Sequence, residues 1–453
     1  MKNRSIIFSL CACSLLAIFA FTDNSKATKD PLALSPVVAK SVTTPTGTLI
    51  SCNLKSLKDT VDIPLSYLTE ELQVVQLDNR DEALVGGWVR TTVSDNYILV
   101  SNNKQTPYKL FTRDGKYITN IGAYGQGPNE YGNTYAEQLD EAHNRIYILP
   151  WQSDKLLVFD LKGNPQAPIP LCLRVPKGQF RVDTEKSEVT VTVLPFQGWP
   201  AVVWTQDFNG KRKNFVAPAH LTVPRDFSNE VFMGNNTSDY DVMLMVIMPT
   251  PRVDSLYHYN NAKNRLEARF TVEYANKDKI PWHGYSEYPR HFIGDVSFPV
   301  QMSKNTWGST KPAKYIVDKK TLHGNYFHLY NDFLGTKEMQ IWPSFGNGYY
   351  VSNMEPSQLK ETLEKELARK DLPSTVRKRT QALVKSLNED NNNVVLFAKM
   401  KKIKILQKAI KKLHPKSFLS NFWGAMHFET ASSFFLSVKT VLSQKRNQND
   451  EKE

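Results

Sequence analysis

From Leu49 to about Met354 the chain carries almost no 3.6-residue periodicity. Apolar positions come instead in short runs rich in Val, Ile, Tyr, Phe and Thr, broken by turn residues. That pattern predicts strands. Residues 97–101, 108–112 and 117–121 are three such runs, and the last two are joined through Arg113-Asp114-Gly115-Lys116. An Asp-Gly step between strand-like runs predicts a hairpin, because glycine accepts the positive φ of a tight primed turn. The hairpin recurs. Residues 156–160 precede Lys162-Gly163-Asn164, and 201–205 precede Phe208-Asn209-Gly210-Lys211. Residues 255–259 precede Asn260-Asn261-Ala262-Lys263-Asn264, and 314–318 precede Lys319-Lys320-Thr321. The turn centres step by roughly 47 to 56 residues, and such a period with about four strands per unit marks a β-propeller.

One four-stranded sheet cannot bury both of its faces. Set radially, each sheet covers its neighbours, and closing the ring leaves only short, protected edges. Five hairpins are visible. A sixth blade is expected from 341–354, the run 394–398 and strands from 48–90, so that both ends of the chain share one blade. The fold class read here is all-β: a six-bladed β-propeller over 48–401. A different pattern covers 355–388. Leu359, Leu363, Leu367 and Leu372 recur among charged residues, Pro373 interrupts, and Val376, Leu383, Val384 and Leu387 follow. This predicts a helical insertion before the closing strand, its second helix capped by Ser374.

Charge changes the picture mainly at the ends. The net charge is +12, yet residues 399–453 hold twelve Lys/Arg against four Asp/Glu, and Lys2 and Arg4 add two more. The body between is nearly neutral, so nucleic acid is not an expected partner. Lys2 and Arg4 precede an uncharged apolar stretch, 5–21, and then polar residues, the layout of an export signal. A signal peptide over 1–27 is expected, with cleavage after Ala20 or Ala27. Leu10-Cys11-Ala12-Cys13 also spells a lipobox-like string, and an uncleaved anchor is the third alternative. The expected location is the periplasm or the outer membrane, with a lipoprotein as one form. Segment 399–416 holds eight Lys and no acid, with Ile403, Leu406, Ile410 and Leu413 at helical spacing. A basic helical tail over 402–453 is expected, and 399–416 would suit an anionic membrane surface at roughly 1 kcal/mol per basic residue. Past the leader only Cys52 and Cys172 remain, and a bridge or two separate thiols are both open.

Residues 108–163 carry a resemblance. After the Asp114-Gly115 hairpin come Gly122, then Gly125-Gln126-Gly127-Pro128-Asn129-Glu130-Tyr131, then Asp140, 144–148, 155–160 and Gly163. This order resembles an NHL-type propeller repeat. More narrowly it resembles a largely uncharacterised six-bladed β-propeller family of exported Gram-negative bacterial proteins, as does 389–401 at the closing strand. One departure stands out: Leu149-Pro150-Trp151 occupies the place where such repeats commonly put an Asp. Asp114, Gly115, Gly125, Gly127, Pro128, Glu130 and Tyr131 read as a structural turn motif. Glycine and proline set unusual dihedrals there, and Glu130-Tyr131 anchors the crossover between blades. No phosphate-loop lysine or following helix is present.

Candidate chemistry is sparse. Nine His are scattered, and no H-E-x-x-H, no C-x-x-C past the leader and no G-x-S-x-G occurs. No metal site and no cofactor is expected. Asp140-Glu141 and Glu70-Glu71 read as solvated. The stretch 281–291 gathers Trp282, His283, Tyr285, Arg290 and His291. With Trp151, these would suit a sugar or aromatic ligand, although an inter-blade loop with amphipathic surface residues is the plainer reading. The function expected is a non-catalytic propeller that binds an envelope protein or a carbohydrate. The alternative is an enzyme, lactonase- or lyase-like, with an axial metal or polar site in the central channel.

Overall fold

The computed structural model describes residues 18–21 and 30–402, apart from 87–88, 103–104, 249, 277–278, 304–305 and 338–343. Six antiparallel sheets follow one another along the chain. Blade 1 is Val89–Val93, Tyr97–Asn102, Tyr108–Thr112 and Tyr117–Ile121. Blade 2 is Thr134–Asp140, Arg145–Pro150, Ser153–Phe159 and Pro165–Val175. Blade 3 is Gly178–Asp183, Glu188–Val193, Val203–Asp207 and Arg212–Val216. Blade 4 is Glu230–Phe232, Asp241–Met245, Ser255–Asn260 and Arg265–Glu273. Blade 5 is Trp282–Glu287, His291–Ser297, Ala313–Asp318 and Gly324–Tyr330. Blade 6 takes Ser344–Gly346, Tyr349–Met354 and Val394–Lys399 from the C-terminal side and Leu72–Gln76 from the N-terminal side. The ring is thus a six-bladed β-propeller closed by strands from both ends of the chain, as the repeat predicted.

Period-two alternation explains why the blades stack. In blade 1, Ile98 and Val100 face blade 6, where they meet Val75, Val351 and Phe397. Leu99 points the other way, onto Ile146, Ile148 and Phe159 of blade 2. Tyr147 and Leu149 then turn to blade 3. Each strand therefore feeds two apolar layers, and every fully buried Val, Leu or Ile contributes about 1.5–3 kcal/mol. Removing one blade would strip two layers at once.

The repeated hairpin between the third and outer strands differs from the predicted primed turn. Only Gly115 has positive φ, at +89°. Its N–H donates to the Thr112 carbonyl, and the Thr112 N–H donates to Lys116 O, 2.8 Å away. This is a three-residue connection with glycine in the left-handed position. Gly163 repeats it at φ +83°, where an added Cβ would lie 2.6 Å from the Asn120 carbonyl of blade 1. At these two hairpins the glycine lets the turn touch the outer strand of the preceding blade.

The N-terminal segment runs along the rim. Gly47–Asn53 adds in parallel to the outer strand of blade 4, with Ala39–Thr44 beyond it. Thr60–Pro64 adds in parallel to blade 5. The backbone of Ile18–Phe21 pairs with Leu72–Gln76. Most of the expected leader and tail, 1–17, 22–29 and 403–453, lies outside the described residues. Cys52 and Cys172 are both free thiols, on the added strand of blade 4 and the outer strand of blade 2, so no bridge joins them. The insertion forms two helices, Pro356–Leu367 and Ser374–Ser386. Leu359, Leu363 and Leu383 pack them onto Leu72, Val74 and Leu396 of blade 6. Ser374 is not the cap. Pro373 occupies the N-cap position, without a side-chain hydrogen bond, because its fixed φ already suits the entry to a helix.

Candidate ligand-binding face

Neighbouring strands in a blade alternate in direction, so the loops sort onto two faces. The turns from first to second and from third to outer strand lie on one, here the turn face. Second-to-third turns and blade-to-blade crossovers lie on the other, the crossover face.

On the turn face, polar side chains are matched to one another. Glu287, at the end of the inner strand of blade 5, accepts bonds from His258 Nε2 of blade 4 and from Lys319 Nζ. Burial alone would raise the Glu287 carboxyl, but the bonds from His258 and Lys319 hold it below its ordinary value. His291 is buried and lies 3.1 Å from the Tyr67 hydroxyl and 3.7 Å from Asp318. Burial pushes its pKa down to about 4. A loop, 233–240, leaves blade 4 and reaches blade 6. Asn236 donates to Phe345 O and accepts from Gly348 N–H at 3.2 Å, and Asn347 N–H donates to Gly234 O at 2.9 Å. Arg181 fixes the root of that loop through the Ser238 and Asp239 carbonyls.

The inner strands spend their polar side chains on each other. Gln138 clamps Val182 through both its amide groups, at 2.9 and 2.8 Å. Arg90 bridges from blade 1 to Tyr135 O and to Glu137 Oε2, the latter 2.9 Å away. Gln179 donates to Val231 O. These contacts satisfy strand edges that would otherwise face the channel unpaired. Among the described residues, no three His, Cys, Asp or Glu side chains are grouped as a metal ion would need.

The crossover face is different. Trp151, in a turn of blade 2, is 45% exposed, and Phe227, in the crossover into blade 4, is 42% exposed. Their rings meet edge-on, 6.5 Å apart at 76°. Phe196 packs on Phe227 at 5.2 Å, and Lys177 Nζ lies 5.9 Å from its ring centre. In blade 5 the second-to-third connection rises into its own hairpin, Pro299–Ser303 with Thr306–Ser309. Phe298, Val300, Met302 and Trp307 there are all exposed, Met302 most of all at 73%. Tyr124, Leu84 and Val253 add further exposed apolar side chains on this face.

The structure separates the residues that the sequence grouped. The stretch 281–291 is no loop. It is the inner strand of blade 5, a short turn and the start of the next strand. The five steps from 282 to 287 span roughly 17 Å at strand rise. Half-buried Trp282 therefore stands at the crossover end, and Arg290 and His291 stand at the turn end. His283 is buried, its Nδ1 2.8 Å from Pro281 O, and burial lowers its pKa. Tyr285 is core, its hydroxyl 2.9 Å from that of Tyr274. Arg290 lies over the Tyr67 ring and 3.6 Å from Asp318. Of the six, only Trp151 sits in an open aromatic site.

The turn motif has a structural role. Tyr131 is buried, accepts from Tyr108 N–H at 2.8 Å and donates to the Ile121 carbonyl. Glu130 Oε2 accepts from Gly127 N–H at 2.9 Å, and Asp114 bonds the Thr112 hydroxyl. Asp140 and Glu141 are not simply solvated: Glu141 accepts from Ser94 of blade 1, and Asp140 binds His143 and Thr184. Phe227, Phe196 and Lys177 escaped the sequence reading because no periodicity marks the connections between strands. The hairpin in blade 5 left a readable trace, two short apolar runs around Lys304-Asn305.

Comparison with solved structures places the fold. A Bacteroides fragilis protein described as exported is similar at 15% identity, over 78% of this chain and 99% of that one, with a TM-score of 0.53. A member of the DUF4221 family from Bacteroides vulgatus matches at 11% identity, over 74% and 97% of the two chains, with a TM-score of 0.41. At 15% identity the first likeness concerns the fold alone. No curated protein matches the chain. A family model covers residues 49–399, the whole ring and its helical insertion. The chain belongs to that family, DUF4934, described as a domain of unknown function.

Proposed function

We propose that this protein is an exported, non-catalytic binding module whose crossover face holds a protein or glycan of the cell envelope. One observation carries the reading: among the described residues nine of the thirteen exposed large hydrophobic side chains lie on the crossover face, while Glu287, His258 and Lys319 on the turn face are paired with one another. Exposed apolar groups in such number mark an interaction surface rather than chance. Export is supported by the charged, apolar and polar order of residues 1–25 and by the Bacteroides fragilis neighbour described as exported. Among the described residues no helix is long and apolar enough to cross a membrane.

The test is affinity capture from an envelope fraction with the full chain. A variant with Met302→Asp and Trp307→Ala should lose the captured component. Lys263→Glu, on the turn face, should keep it. Equal capture by all three would overturn the reading.

A further inference from the structure

We infer that the corner formed by Trp151 and Phe227 is a saccharide subsite. This rests on the binding reading above and names the ligand class at one point of the face. Both rings are nearly half exposed, and they stand close to perpendicular. Such a corner offers one flat π-face and one edge. A pyranose ring has the matching shape, with an apolar C–H face and a rim of hydroxyls. Aromatic rings bind such surfaces through burial and orientation together.

The corner is held from beneath. Phe227 leans on Phe196, and the Phe227 carbonyl accepts from Lys177 Nζ at 2.8 Å. That ammonium is in turn paired with Glu230 at 2.8 Å and bonded to Asn229 O. On the other side the backbone N–H of Trp151 donates to Asn133 O. A main chain fixed in this way, with the Phe227 ring seated on Phe196, needs little ordering when a ligand arrives, which favours binding of a small rigid partner. A donor stands at the rim. Arg174 spends its Nε on Gln152 O, 2.7 Å away beside Trp151, and its exposed guanidinium carries further N–H groups suited to sugar hydroxyls or a uronate. Two rings with polar neighbours make a patch far smaller than a stable protein interface requires. A sugar ring fits that scale.

The experiment is calorimetric titration of the full chain with soluble hexose, N-acetylhexosamine and uronic-acid oligosaccharides. At least one class should bind, and Trp151→Ala or Phe227→Ala should weaken it at least tenfold. Arg174→Ala should weaken it severalfold, and Trp307→Ala should leave it unchanged. Unaltered unfolding curves identify variants that fold. No binding by any class, or binding that survives Trp151→Ala and Phe227→Ala, overturns the subsite. Capture of an envelope protein that depends on Met302 and Trp307 would then keep the broader reading alive. Failure of the unaltered chain to capture any envelope protein, with intact sugar binding, would overturn the protein partner instead.

Discussion

The two faces of the ring spend their residues differently. On the turn face, Glu287 lies between His258 and Lys319, and Asn236 ties blade 4 to blade 6. On the crossover face, Trp151, Phe227 and Met302 remain in water. The contrast warns against equating reactive residue types with function. A buried carboxylate met by a histidine and a lysine resembles catalytic equipment. Here those bonds join one blade to the next, because a charge withdrawn from water must be paired. Exposed aromatic side chains look chemically inert, yet they are groups that the fold leaves partly open to water.

The comparison can be broken most sharply at Glu287. Replacing it with Ala leaves Lys319 and His258 facing a gap in a mostly buried site. Loss of one partner from such a pair costs about 3–5 kcal/mol. Denaturant unfolding of Glu287→Ala should show that loss, with ligand capture per folded molecule unchanged. A loss below about 1 kcal/mol would mean the turn face is not held by its charges.

His291 gives a pH signature of about 3 kcal/mol. Its folded pKa is pushed down to about 4 by burial, against roughly 6.5 in the unfolded chain. The unfolded state therefore takes up the proton first. Stability is full above about pH 6.5 and declines as pH falls toward 4. Asp318, Asp30, Arg290 and Lys319 act on the same ring, and the Asp318 carboxyl is itself held low by backbone bonds from Thr321 and Lys320. Any acid loss from Asp318 falls below the window of the histidine. Unfolding measured from pH 7 to 4 should flatten in His291→Asn, and an unchanged slope would sink the assignment.

The smallest effect on stability belongs to the crossover face. Met302→Asp with Trp307→Ala should shift unfolding by less than about 0.5 kcal/mol, since neither side chain is buried. Circular dichroism melts would check this. A large shift would mean that the blade 5 hairpin is structural, and the distinction between the faces would fade.

Much of the fold could be read in advance. The Asp-Gly and Gly-Asn turns recur at near-constant spacing, and each run alternates apolar side chains, so blade count and strand order followed from local pattern. The closing of blade 6 by Leu72–Gln76 was also legible, because a ring of repeats with one incomplete unit needs strands from both ends. The added strands at Gly47–Asn53 and Thr60–Pro64 were not. Their partners lie more than 200 residues away, and parallel pairing leaves no mark on either segment alone. The placement of the candidate residues was not legible. Trp282, His283, Tyr285, Arg290 and His291 are close in sequence, yet they lie on a strand, a turn and a second strand rather than on one loop. A strand pulls its two ends apart and sends alternate side chains to opposite sides.

What the amino-acid order determined by itself was periodicity: where strands begin and end, which side chains leave water, and that no single blade suffices. These are properties of near neighbours, set by backbone sterics and apolar spacing. Only the tertiary structure decided which loops share a face and which charges find partners. It also decided that Trp151 would meet Phe227, 76 residues further along the chain. Such encounters depend on how successive sheets are carried around the ring axis, and no short stretch of sequence contains that geometry.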